Sequence, residues 1–353
     1  MTPKELLEKI KLDNQDKVDL SPLISELQYV ASNSMNSHDL LNWSMGTETR
    51  QLRFTESSRK RFMRDLGGPA PFLCERCDES LREDNMTFLI GDYAETHEKF
   101  FIRCRNRGGQ TLEDLVIRAV LSEDYIPFDN YEFASSFTGP MEDHNMEVAS
   151  VILENDSMQI KSFFKDTIKA NGKRLNLGIM AINSETGKSK PTVECIVENT
   201  VDSQLIRWPV DGGALMSVSR GDIQKADLAM QLERIPSVAL AEADEIQAAI
   251  TRAASVEFPG DIVLQLHLLL FGSKIQDNGE LLQEMVTHVE HYTNYRKRKV
   301  KRIDLIDAVA RTAYSTNKVK LARLAGEMLT KEQIWNVALI KAKTDKTEDE
   351  DEE

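Results

Sequence analysis

Short runs that alternate apolar and polar residues dominate the chain from about residue 86 to 200, and helical periodicity takes over after about 215. The runs rich in β-formers are Met86 to Ile90, Phe100 to Arg105, Leu115 to Leu121, Val148 to Leu153, Met158 to Phe163, Leu175 to Ala181 and Thr192 to Val197. Turn chemistry separates them at Asn106-Arg107-Gly108-Gly109, Glu154-Asn155-Asp156-Ser157, Asn171-Gly172 and Asn183 to Gly187. In Phe101-Ile102-Arg103-Cys104-Arg105 the two arginines share a face opposite Ile102 and Cys104. In Val116 to Val120, Arg118 falls opposite Ile117 and Ala119. A period of two with mixed polarity predicts an antiparallel sheet with one buried face.

Helical signals flank this region. Residues 1–45 are polar and helix-prone, with Leu6, Leu7 and Ile10 on one face and a Ser21-Pro22 start signal. Glu56 to Leu66 reads as a basic helix (Arg59, Lys60, Arg61, Arg64) stopped by Gly67-Gly68-Pro69, followed by a short helix over Phe72 to Cys77. Asp129 to Phe137 predicts a helix set between strands. Beyond residue 215, Arg220 to Arg234, Val238 to Ser255, Ile262 to Phe271, Glu280 to Arg302, Ile303 to Tyr314, Lys318 to Met328 and Lys331 to Lys343 read as helices. The class is α+β, an antiparallel sheet domain followed by a helical half. The expected division is an N-terminal helical arm (1–45), a β-rich α+β domain (46–215), a helical domain (216–343) and a disordered acidic tail (344–353).

Composition narrows the function. The 353 residues hold 41% hydrophobic residues, enough for a real core. No apolar run of the length needed for a membrane helix occurs, and the charged N-terminus lacks the core of a signal peptide, so a cytoplasmic protein is expected. Cys74 and Cys77 form one Cys-x-x-Cys; with Cys104 and His97 it is read as small core residues rather than a zinc site, and His288 with His291 lacks a third ligand. His267 is read as a core histidine. No Gly-x-Ser-x-Gly, His-Glu-x-x-His or Gly-x-Gly-x-x-Gly is present. No catalytic residue, metal or cofactor is therefore assigned.

Charge is segregated. The net −14 includes −6 in Thr344 to Glu353, while Tyr292 to Arg323 carries +8. Tyr292 and Tyr295 precede Arg296, Lys297, Arg298 and Lys299, with Lys301 and Arg302 beyond; cations neutralise phosphates and aromatic faces stack on unpaired bases. The alternative is a solvated basic helix. Arg103, Arg105 and Arg107 form a second set that Arg118 joins if its strand pairs with 100–105. Such a face is costly to bury without anions, so it is read as surface or as a polyanion site. The acidic tail would compete with nucleic acid for a basic groove, recruit a partner protein, or merely solubilise.

Ile182 to Ser189 ends in Gly-Lys-Ser but places Ile182 where a phosphate-binding loop requires its first glycine. ATP and GTP binding are excluded on that ground. The segment is read as a hairpin turn with Gly187 at positive φ, and with Lys188 and Lys190 as surface cations that could meet phosphate.

Four stretches occur in an order that resembles the uncharacterised phage/plasmid-like protein family of phages, prophages and plasmids. They are Arg64-Asp65-Leu66-Gly67-Gly68-Pro69-Ala70, Val116 to Ser122 leading to Tyr125-Ile126-Pro127-Phe128-Asp129-Asn130, Asn183-Ser184-Glu185-Thr186-Gly187, and Ile303 to Val309. The Cys-Thr-Asn-Gly-like segment that members usually carry has only a loose echo here, in Asn199-Thr200 and Gly212-Gly213. The resemblance covers roughly residues 50–315 and brings no established activity; an analogy to phage single-strand annealing proteins accompanies it. The leading expectation is an ATP-independent single-stranded DNA-binding (or other nucleic-acid-binding) protein for annealing or recombination, acting as a homo-oligomer, with no membrane partner. The alternatives are a non-enzymatic assembly or host-interaction protein of a mobile element, and a metal-dependent nuclease.

Overall fold

The computed structural model describes residues 1–32, 38–107, 114–170, 173–199, 205–208, 216–217, 225–258, 287, 300–315, 319–331 and 334–335. Its class is α+β, as the periodicity predicts, with the later helices concentrated in the C-terminal half.

The first half is built on a six-stranded sheet in the order β1-β5-β6-β4-β3-β2. Its strands are β1 (Lys17–Leu20), β2 (Leu27–Val30), β3 (Leu40–Met45), β4 (Glu48–Phe54), β5 (Phe100–Asn106) and β6 (Leu115–Ser122). All neighbours are antiparallel except β4 and β6, which are parallel because α2 (Glu56–Asp65), α3 (Ala70–Glu75), α4 (Glu79–Ala94) and β5 lie between them in sequence. Helix α2 starts where the Thr55 hydroxyl accepts from Ser58 N–H, and the chain leaves it through Gly67 at φ 81. Phe62 on α2 stacks on Phe54 at 5.5 Å and meets Phe100 edge-on at 5.5 Å, which closes the helix onto the sheet.

Two expectations fail here. Met86 to Ile90 lies inside α4 and is not a strand. Met86 and Ile90, four residues apart, are buried while Phe88 between them is 72% exposed, so the operative period is helical. The N-terminal 45 residues form more than a helical arm: among the described ones α1 (Pro3–Asp13) alone is α-helical, and β1, β2 and β3 are integral to the sheet. Tertiary pairing overrides a weak local preference.

The second sheet runs β11-β10-β9-β8-β7, with β12 (Met216–Ser217) on β10. Its strands are β7 (Met146–Leu153), β8 (Met158–Ala170), β9 (Lys173–Asn183), β10 (Thr192–Asn199) and β11 (Leu205–Trp208). One face packs against α1, α5 (Asn130–Asp143), α6 (Lys225–Ala241), α7 (Ala243–Ser255), α8 (Arg302–Ser315) and α9 (Val319–Thr330) in the larger core. A short pair, β13 (Glu257–Phe258) with β14 (Val300–Lys301), precedes α8. At Gly178 a Cβ would lie 2.0 Å from the Ser162 carbonyl oxygen, so the close approach of β8 to β9 admits only glycine.

Candidate nucleic-acid interface

Strands β5 and β6 pair, and a register shift leaves Arg118 as the extra residue between Ile117 and Ala119. That bulge turns Arg118 to the side occupied by Arg103, so the two arginines do share a face. The face is not open. Arg103 is 1% exposed and Arg118 5% exposed, because the 183–188 turn between β9 and β10 is packed over them. Arg103 donates to Asp19 through Nε at 2.9 Å and Nη2 at 3.0 Å, pairs with Asp129, and donates to the Glu185 carbonyl at 2.9 Å. Arg118 lies 2.9 Å from the Glu185 carboxylate and donates to the Asn155 carbonyl at 3.0 and 2.6 Å. Arg105, half-buried, pairs with Asp13 at 2.7 Å and Asp16 at 3.6 Å. The expectation that these three arginines form a surface or polyanion site is therefore corrected. The anions that permit burial are the chain's own carboxylates, brought from α1, β1, the α5 cap and the 183–188 turn. Arg107 is exposed at the end of β5.

Glu185 is the centre of this network. It is fully buried, 2.9 Å from the Lys17 ammonium as well as from Arg118, and accepts from the Asn130 backbone N–H at 2.9 Å. Burial pushes its pKa up, but the charges of Lys17 and Arg118 and the Asn130 hydrogen bond outweigh it and hold the carboxyl below its ordinary value. The same balance, burial opposed by Lys17 and Arg105, lowers Asp13. Tyr125 Oη donates to the Glu185 carbonyl at 2.9 Å, which ties the loop after β6 to the same turn.

The turn itself matches the sequence reading. Gly187 has φ 74, its N–H donates to the Ser184 carbonyl at 3.2 Å, and Lys188 N–H donates to Ser184 Oγ at 2.9 Å. Its two lysines face solvent: the Lys188 side chain is 59% exposed, 3.4 Å from Asp156, and Lys190 is exposed. Tyr292, Tyr295, Arg296, Lys297, Arg298 and Lys299 lie outside the described residues, as do His267, His288, His291 and the acidic tail.

A basic surface that was not singled out in the sequence lies at the far end of the second sheet. Beyond a bulge in β8, Thr167 pairs with Asn176, Ile168 with Leu175, Lys169 with Arg174 and Ala170 with Lys173. Ile168 and Leu175 pack toward the helices, so Lys169 and Arg174 stand on the opposite face, both exposed. Gln247 on α7 fixes the strand end by donating to the Lys169 carbonyl at 3.0 Å. Lys165 is also exposed and lies 3.4 Å from Glu147. The signal was available: Asn171-Gly172 is the strongest two-residue hairpin turn, and it sets Lys169 opposite Arg174.

An open groove of about 380 Å³ lies between α2, the end of α4 and the end of β6. Phe62, Asp65, Tyr93, His97, Phe100 and Tyr125 contribute to its walls. Tyr93 is sandwiched between His97 at 3.9 Å and Phe100 at 4.9 Å, and Tyr125 stacks on Phe101 at 5.9 Å.

Among the described residues no cluster of three or more His, Cys, Asp or Glu could hold a metal, and no helix is long and apolar enough to cross a membrane. Cys74 and Cys77 are half-buried against the first core, with Cys74 Sγ 3.3 Å from Met63 Sδ. Cys104 is fully buried, which pushes its thiol pKa up to about 12. Comparison with protein-family models, curated proteins and solved structures finds no match.

Proposed function

We propose that the chain binds single-stranded nucleic acid, DNA first, without covalent chemistry or nucleotide hydrolysis. Its role would be annealing or recombination for a phage or plasmid, in the cytoplasm of a bacterial host. The observation that carries this reading is the end of the β8–β9 hairpin. Lys169 and Arg174 stand directly opposite on an exposed antiparallel pair, so one phosphate can meet both cations.

Lys165 extends the surface along β8. The 292–299 segment, with its aromatic and basic residues, would add stacking and phosphate contacts, and homo-oligomers would multiply weak sites by avidity. Arg107, Lys188 and Lys190 are secondary phosphate contacts.

The test is anisotropy of a fluorescent oligonucleotide across a salt series, comparing the chain with its Lys169→Glu/Arg174→Glu variant. The logarithm of affinity should fall with that of salt, with a slope of about −0.7 per phosphate neutralised, and the variant should lose about 0.7 of slope for each phosphate contact removed. Affinity independent of salt, no binding in low salt, or an unchanged variant would remove the reading.

A further inference from the structure

The aromatic groove between α2, α4 and β6 does not serve the hairpin. It lies beside the 183–188 turn: a methyl group on Gly187 would sit 3.2 Å from the Arg61 guanidinium and 3.3 Å from the Tyr125 ring. The basic hairpin end is at the other end of β9, whose eleven residues span about 35 Å. Acidic groups stand at the groove. Asp65 lines it, and Glu123 and Asp124 occupy the loop between the lining residues Ser122 and Tyr125, both exposed. Burial and then the charges of Glu123 and Asp124 raise the Tyr93 hydroxyl pKa, as expected if these carboxylates stand close to its ring. Three cations stand beside these carboxylates: Arg61 and Arg64 lie 3.0 and 3.9 Å from Asp65, and Lys99 is exposed, with its backbone N–H donating to Glu123 at 3.1 Å.

Leu66, Val120 and Leu121 add apolar lining to the aromatic rings, Asp65 is the lining carboxylate, and Glu123 and Asp124 lie in the adjoining loop. This combination suits a long side chain with an apolar stem and a cationic head. The stem lies on apolar surface, while the head meets carboxylates and ring faces. We propose that this groove docks a lysine or arginine side chain of a basic peptide segment in a partner protein. A volume of about 380 Å³, at the small end of ligand pockets of about 300–1,000 Å³, fits one such side chain rather than a folded element.

The probe is a short fluorescein-labelled peptide alternating glycine with arginine, titrated with the full chain and followed by anisotropy. Its partner is the same peptide with neutral citrulline in place of arginine. Because the chain carries a net −14, general attraction must be separated from docking. Two double variants do this: Asp65→Asn/Asp124→Asn at the groove, and Glu8→Gln/Glu142→Gln at exposed positions on α1 and α5. The arginine peptide should bind and the citrulline peptide should not. The groove variant should weaken binding about tenfold and the distal variant less than about twofold.

Equal losses from the two variants, equal binding of the two peptides, or no binding at low salt would overturn the proposal. Displacement of the peptide by neutral adenosine would overturn it too, and would assign the groove to a base. Peptide binding should survive Lys169→Glu/Arg174→Glu, so failure here and failure of nucleic-acid binding are read separately.

Discussion

Replacing Glu185 by glutamine tests whether the buried ion network holds the two sheets together. The substitution keeps shape and one acceptor for Asn130 N–H, but removes the charge between Lys17 and Arg118. Their side chains are 8% and 4% exposed, so neither cation recovers its solvation without local opening. Removing one partner of a buried pair costs about 3–5 kcal/mol. Lys17 keeps Asp13 at 2.8 Å and Arg118 keeps the Asn155 carbonyl, which places the expected loss at the lower end, about 3 kcal/mol. Urea unfolding followed by far-ultraviolet circular dichroism should show a midpoint lowered by roughly 1 M or more in the first transition. The pH dependence gives a second reading. The folded pKa of Glu185 is depressed, so its contribution is complete above the unfolded value near 4.5 and is lost as pH falls through the lower folded value. The gap between the native chain and Glu185→Gln should be wide at neutral pH and close below about pH 4.5. A loss under about 1 kcal/mol at pH 7, or a gap that persists in acid, would refute the reasoning.

Other expectations follow from single sites. Gly178→Ala should destabilise by about 3 kcal/mol or prevent folding, since its methyl meets backbone at 2.0 Å; thermal unfolding would report it. Asp39→Asn should cost about 3 kcal/mol in the same urea assay, because Asp39 is fully buried beside Arg59 at 3.1 Å and Arg82 at 3.3 Å. Cys74 and Cys77 should react with a thiol reagent well before Cys104, whose thiol is buried and held protonated; equal rates would contradict the burial assigned to β5. Deleting residues 344–353 should tighten oligonucleotide binding if the tail competes for the basic surfaces, and leave it unchanged if the tail only solubilises.

The fold was legible where residues alternate with a buried partner face. Strands β5, β6, β7, β9 and β10 appear close to the positions that period two predicts, with inward residues such as Ile102 and Ile179 buried, while β8 starts at Met158 as predicted but runs on to Ala170. It was illegible where local preference and tertiary pairing disagree. Residues 17–45 carry weak helical preference but supply three strands to a sheet whose other members lie up to a hundred residues away. The run Met86 to Ile90 is short enough to satisfy either period, and only burial of Met86 and Ile90 with exposure of Phe88 decides it.

The arginines show a sharper limit. Alternation places Arg103 and Arg105 on one face, and the bulge at Arg118 brings the third arginine to that side. What alternation cannot supply is the cover. Asp13, Asp19, Asp129 and Glu185 are spread over more than 170 residues of sequence and meet the arginines only after folding. A row of arginines is therefore ambiguous in sequence between an open anion site and a closed ionic joint. A hairpin end is less ambiguous, because the turn fixes the register locally. The pairing of Ala170 with Lys173 at the hairpin end sets Lys169 opposite Arg174. By the same logic the buried arginines act on the surface indirectly. By holding Glu185 they hold the 183–188 turn, and through Tyr125 they hold one wall of the aromatic groove. Loosening that joint should blunt peptide docking at the groove while leaving the hairpin about 35 Å along β9 unaffected.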